Sequence, residues 1–255
     1  MLQRMDKLIG YTVVANDGEV GTVRDFYFDD RRWAVRYLVV ETGSWLASRR
    51  VLISPLAISD VDLEKGALSL RLSREQVRGS PDIDTHKPVS RQHEISYFNY
   101  YGYPDYLSGP LLWGLTPYPM IPEGGGLPLT TDAIADSAAP DENSNASHLR
   151  SGVDIRGWHL QASDDEIGHL EDFIIERDSW ALRYIVVDTA NWWLGRHVVV
   201  PVQWIEALDQ DLHTVKVDVL RAQIRAAPEF DPVIELSRDY ETQLFQHYQR
   251  PGYWY

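Results

Sequence analysis

Cysteine is absent from the 255 residues. That excludes disulfides, thiolate zinc sites and cysteine nucleophiles together, and fits a protein of the reducing cytoplasm. Lysine is scarce: the chain has only Lys7, Lys65, Lys87 and Lys216. With a formal net charge of −14, the surface repels phosphate backbones, so no direct nucleic-acid binding is expected. The basic residues are mostly arginine, whose planar fork suits internal pairs with carboxylates. No apolar run approaches the roughly 20 residues of a membrane span, and nothing near Met1–Lys7 has the apolar core of a signal peptide.

What the chain does contain is a repeat. Arg36-Tyr37-Leu38-Val39-Val40-Glu41-Thr42 returns as Arg183-Tyr184-Ile185-Val186-Val187-Asp188-Thr189. Each copy follows a Trp-Ala pair, Trp33-Ala34 and Trp180-Ala181. Such a short, β-branched run, apolar on both faces, is what a strand buried on two sides requires. The offset of 147 that carries Gly10 onto Gly157 persists without a gap to Tyr106 and Tyr253. It pairs Asp17/Asp164, Glu19/Glu166, Gly21/Gly168, Asp25/Asp172, Phe26/Phe173, Arg91/Arg238 and Pro104/Pro251. Two copies at so long a period are a tandem domain duplication, not a solenoid. The expected organisation is one repeat with its tail over residues 1–107, a linker over 108–152, and a second repeat with its tail over 153–255.

Within a repeat the pattern predicts six short strands. In the first copy they fall near Tyr11–Val14, Val20–Phe28, Ala34–Glu41, Val51–Ile53, Ile58–Leu63 and Leu68–Leu72. In the second strand the apolar phase switches between Val23 and Phe26, and in the other copy between Leu170 and Phe173. A switch of this kind signals a bulge, with Asp25 and Asp172 at the bend. Six strands this short suggest a small closed or nearly closed barrel, so the fold class is mainly β. Ser73-Arg74-Glu75-Gln76 has the spacing of a capping box. Ser90 and Ser237 read as N-caps of a further helix. On that helix Tyr97, Phe98 and Tyr101, or Leu244, Phe245 and Tyr248, share one face. Between the copies, Gly124-Gly125-Gly126 and the polar tract Asp132–Ser147 read as a flexible linker, while Trp113–Ile121 is apolar enough to pack locally.

The pattern Gly-x-x-Val-x-x-x-Asp-Gly-x-x-Gly at Gly10–Gly21, Val-x-Asp at Val23–Asp25, and the Trp-x-x-Arg-Tyr-Leu-Val-Val core resemble the PRC-barrel family. The second copy departs from it at Leu160, Asp165 and Leu170. The resemblance covers residues 6–75 and 153–222. It implies a fold similar to the cytoplasmic domain of the photosynthetic reaction-centre H subunit, used as a protein-binding module. The implied function is a non-enzymatic interaction or adaptor protein whose repeats bind a protein partner or each other, as an intramolecular pseudo-dimer or a homo-oligomer. The alternative is an RNA-metabolism or ribosome-assembly factor acting through protein contact.

No catalytic constellation emerges, and no cofactor or metal is expected. The eight histidines contain no i, i+4 pair, and none recurs between copies. Gly124-Gly125-Gly126 lacks the lysine of a phosphate loop. Asp164-Asp165-Glu166 lacks the alternating ligands of a calcium loop. The residues singled out are therefore structural or interaction candidates. Asp25 and Asp172 are expected to accept backbone N–H bonds or to meet Arg36 and Arg183. Arg36 and Arg183 should each lie near a carboxylate of their own copy, because an unpaired buried guanidinium is costly. Trp45 and the pair Trp192-Trp193 are either lids on the core or exposed anchors for a partner. The aromatic faces of the tail helices are the expected contact between the copies.

Overall fold

A computed structural model describes residues 1–81, 89–104, 106, 109–121, 148–189 and 196–254. The fold is mainly β, and the described residues form two compact units. One comprises Lys7–Ser151 with Asp178–Ala181. The other comprises Met1–Asp6, Gly152–Arg177 and Leu182–Tyr255. The sequence places residues 1–107 together, whereas the first six residues belong with the second repeat and the segment ending at Ser151 belongs with the first.

In the first-repeat unit, strands β2 (Thr12–Ala15), β3 (Gly18–Asp29), β4 (Ala34–Thr42), β5 (Arg50–Ile53), β6 (Ile58–Asp62) and β7 (Ala67–Leu70) run in the order β6-β7-β2-β3-β4-β5. All neighbours are antiparallel except β2 and β7, which are parallel. No ladder among the described residues joins β5 to β6, where the 3-10 turn Pro55–Ala57 intervenes. The sheet is therefore not closed by hydrogen bonds, so of the expected closed or nearly closed barrel the closed form is corrected. Pro55 has no N–H to give to a ladder, which suits it to this break.

Every residue of β4 from Ala34 to Val40 is buried, Arg36 included. The bend in β3 lies where the apolar phase changes. Val23 faces Val40, Asp25 faces Val39, and Arg24 is the extra residue between them. Because β3 is long, β2 covers only its first part, through Thr22. Its last residues, Tyr27–Asp29, are paired instead by β8 (Leu149–Ser151).

The second-repeat unit repeats this arrangement. Its strands β9 (His159–Gln161), β10 (Glu166–Glu176), β11 (Ala181–Asp188), β12 (His197–Pro201), β13 (Ile205–Asp209) and β14 (Thr214–Val217) include the orders β13-β14-β9-β10 and β11-β12. The end of β10 is paired by β1 (Leu2–Arg4), with Leu2 opposite Glu176, Gln3 opposite Ile175 and Arg4 opposite Ile174. In the other unit Leu149 faces Asp29, Arg150 faces Phe28 and Ser151 faces Tyr27. These registers coincide at the offset of 147. Each unit thus takes its short edge strand from the segment that precedes the other repeat in sequence.

Helix α1 (Arg74–Arg78) begins with the capping box of Ser73 and Gln76, and α2 (Arg91–Tyr101) with the Ser90 cap. The short helix α3 (Gly152–Ile155) follows β8. Helices α4 (Arg221–Arg225) and α5 (Arg238–His247) are the counterparts of α1 and α2, with Ser237 capping α5. Helix α5 stops at His247. Trp113–Ile121 packs in part, through the bridge between Trp113 and Thr116. Gly124–Gly126 and Asp132–Ser147 lie outside the described residues.

Candidate functional site

The edge strands are held by the two carboxylates at the bends. Asp172 is fully buried. Its oxygens accept the Asp6 backbone N–H at 3.2 Å and Arg4 Nε at 3.0 Å. Arg4 also reaches Asp6 Oδ2 at 2.6 Å and Glu171 Oε1 at 2.9 Å. Glu171 in turn meets His197 Nε2 at 2.8 Å. Burial opposes the charge of Arg4, but Asp6, Asp172 and Glu171 outweigh it and raise its pKa. For Asp172 burial dominates and the charge of Asp6 adds to it, pushing the carboxyl up to about 7. The two directions are compatible. One guanidinium serves three acids, and burial raises the pKa of the most buried of them.

Asp25 reaches the equivalent strand through a hydroxyl. It accepts the Phe26 N–H at 2.7 Å and the Ser151 hydroxyl at 2.6 Å. Ser151 stands where Arg4 stands in the other unit. Arg150 adds a bridge to Asp30 at 2.7 Å. Asp25 and Asp172 therefore accept backbone N–H bonds, and their charged or hydroxyl partners come from the edge strands rather than from Arg36 and Arg183.

Arg36 and Arg183 occupy equivalent positions, but the Arg36 side chain is fully buried whereas that of Arg183 is about a quarter exposed. Arg36 Nη2 lies 3.4 Å from Asp29, and its guanidinium sits 4.0 Å from the Tyr106 ring centre and 4.8 Å from that of Trp113. Burial lowers its pKa. Arg183 Nη2 lies 2.5 Å from Glu176 and its guanidinium 4.2 Å from the Tyr253 ring. Beside each lies a buried acid that the sequence reading did not single out. Glu94 accepts the hydroxyls of Tyr106 and, at 3.4 Å, Tyr37. Glu241 accepts those of Tyr184 at 2.6 Å and Tyr253 at 2.9 Å. Burial, then the adjoining glutamate, raises the phenol pKa of Tyr37 and Tyr184, and the same causes push Tyr253 up to about 12. The signal was present in the sequence, since glutamate, arginine and both tyrosines recur at the offset of 147. Their convergence depends on where the tail helix lands.

The tail helices pack on their own repeats. Tyr97 meets Tyr37 edge-on at 5.2 Å, while its hydroxyl accepts the Ser54 N–H and donates to the Leu52 carbonyl. Phe98 lies 6.4 Å from Tyr37, and Tyr101 lies 4.8 Å from Tyr97. Phe245 and Tyr248 pack on Trp204 at 5.5 and 4.7 Å, and Leu244 is fully buried. These faces are consumed within each repeat, which corrects their assignment to a contact between copies. A helix's apolar stripe predicts burial but does not name the element that buries it.

Trp45 is half-buried. Its indole N–H donates to the Val20 carbonyl at 2.8 Å and its ring lies 4.2 Å beneath Arg74. Trp192 and Trp193 lie outside the described residues. Among the described residues, His159, Glu166 and His169 offer ligand atoms within 4.8 Å of one another. A search for helical histidine spacing passes over them, because they meet across two strands.

Among the described residues, no helix is long and apolar enough to cross a membrane. A family model of the PRC-barrel domain matches residues 3–77 and again residues 149–224. No curated protein matches the chain.

Proposed function

The chain belongs to the PRC-barrel domain family, and from that premise we propose a non-enzymatic interaction protein built from two barrel modules with helical tails. PRC-barrel domains are generally protein-interaction modules. The observation that carries the reading is the acceptor edge at the end of β3 and β10. Each takes a three-residue strand from outside its own repeat, in equivalent registers. Strand addition supplies affinity through main-chain bonds, and a specific side-chain anchor supplies selectivity. Here the anchors are Asp25 and Asp172.

In this reading the modules bind each other's leading segments as a pseudo-dimer within one chain, and a protein partner presenting a similar strand competes for the same edge. The buried acids Asp172, Glu94 and Glu241 are bonded to groups of the chain itself, which favours structural over catalytic duty. Cytoplasmic residence belongs to the same reading and rests on the absence of cysteine.

The test is a chain lacking residues 1–6, titrated with a peptide of residues 1–7 and followed by amide chemical shifts. Saturable shifts at Ile174–Glu176, absent when the intact chain is titrated, are expected. A folded truncated chain that shows none up to millimolar peptide overturns the acceptor reading. Capture of ribosomal proteins by the truncated chain would move the reading to a ribosome-assembly factor.

A further inference from the structure

We propose that His159, Glu166 and His169 form a surface site on the second repeat for a borderline divalent transition-metal ion of the Zn²⁺ class. His159 on β9 stands directly opposite His169 on β10, and the two rings lie 4.6 Å apart. Directly opposed residues of an antiparallel pair project to one face. Glu166 is three residues before His169, a spacing that places side chains on opposite faces of a regular strand. The register shift between Glu166 and Gly168 inserts one extra residue and brings Glu166 back to the histidine face. Gly168 is what lets the strand do this: a Cβ there would stand 2.3 Å from the Asp188 carbonyl oxygen.

The donor set has the right chemistry. Two imidazoles and one carboxylate favour zinc and its neighbours over calcium or magnesium. The three ligand atoms lie within 4.8 Å of one another, and His159 Nδ1 is 2.7 Å from Glu166 Oε1. Ligands of a tetrahedral zinc ion are about 3.3 Å apart. Side-chain rotation alone therefore spans the difference, on backbones fixed by the β9–β10 and β9–β14 ladders. Among the described residues, the ion partner of Glu166 is His159, a ligand of the same site. Three ligands leave a fourth position, which faces solvent because the His159 side chain is half exposed.

The first repeat supplies an internal comparison. It has the same strands, the same bulge between Val13 and Val14, and Glu19 at the place of Glu166, but Thr12 and Thr22 stand where the histidines stand. The fold does not need histidine at these positions. Threonine substitutions are thus ready-made variants expected to fold.

Calorimetric titration of the full chain with Zn²⁺ near pH 7.5, where imidazoles are neutral, is expected to show one ion per chain. His159→Thr and His169→Thr should each weaken that binding at least tenfold, with unchanged circular dichroism. Thr12→His with Thr22→His should add a second ion. Cu²⁺ bound to the natural chain should show two nitrogen ligands by electron paramagnetic resonance, and fewer in either threonine variant. Zinc binding that is unchanged in the His159→Thr, His169→Thr double variant, or no binding by the natural chain at roughly 1 mM Zn²⁺, overturns the proposal.

Discussion

Replacing Asp172 by Asn removes the one buried acid that anchors β1 while preserving its shape. The folded carboxyl titrates near 7, against an ordinary value of 3.8. Between those values the folded chain binds a proton that the unfolded chain has released. This contribution to stability is complete below the lower value and is lost as pH rises through the upper one. At about 1.4 kcal/mol per pH unit, a window of this width carries about 4 kcal/mol at most. Urea denaturation at steps from pH 4 to pH 8 measures it, with the variant subtracting every other titration. The natural chain should lose stability relative to Asp172→Asn across the window, and the difference should level off above it. A difference that stays flat would refute the reasoning. So would one of opposite sign, because it would mean that Arg4 and the Asp6 N–H hold the carboxylate ionised against burial.

Two further outcomes follow from the packing. Arg36→Met should cost about 2–4 kcal/mol in denaturant melts, because it leaves the buried Asp29 without its cation. Arg183→Met should cost less than about 1 kcal/mol, since both Arg183 and Glu176 are roughly one-quarter exposed. Gly21→Ala and Gly168→Ala each drive a methyl to within 2.0 and 2.3 Å of a carbonyl oxygen on the next strand. Both should lower the melting temperature more than Gly10→Ala, where a Cβ meets nothing within 4 Å and only the positive φ is strained.

Much of this architecture was legible because the chain states it twice. The bulge at Asp25 could be read from a change of apolar phase, and the helix caps from serine and glutamine spacing. The edge strands could not. Three residues have no periodicity, and Leu2-Gln3-Arg4 shares only its leucine with Leu149-Arg150-Ser151. Nor can sequence say which copy receives which strand, because Tyr27–Asp29 and Ile174–Glu176 present equivalent acceptor edges. The candidate metal ligands were missed for a related reason. His159 and His169 are ten residues apart in the chain and become neighbours only once the β9–β10 register is known. Glu94 and Glu241 show the same limit. A recurring glutamate on a helix reads as a solvated residue until the helix is seen to turn it onto two phenols.

The account rests most heavily on the exchange of edge strands, and nuclear Overhauser contacts from Leu2–Arg4 test it directly. Contacts to Ile174–Glu176, with Gln3 opposite Ile175, are the predicted result. Contacts from the same residues to Tyr27–Asp29 would contradict it, because each repeat would then carry its own leading strand.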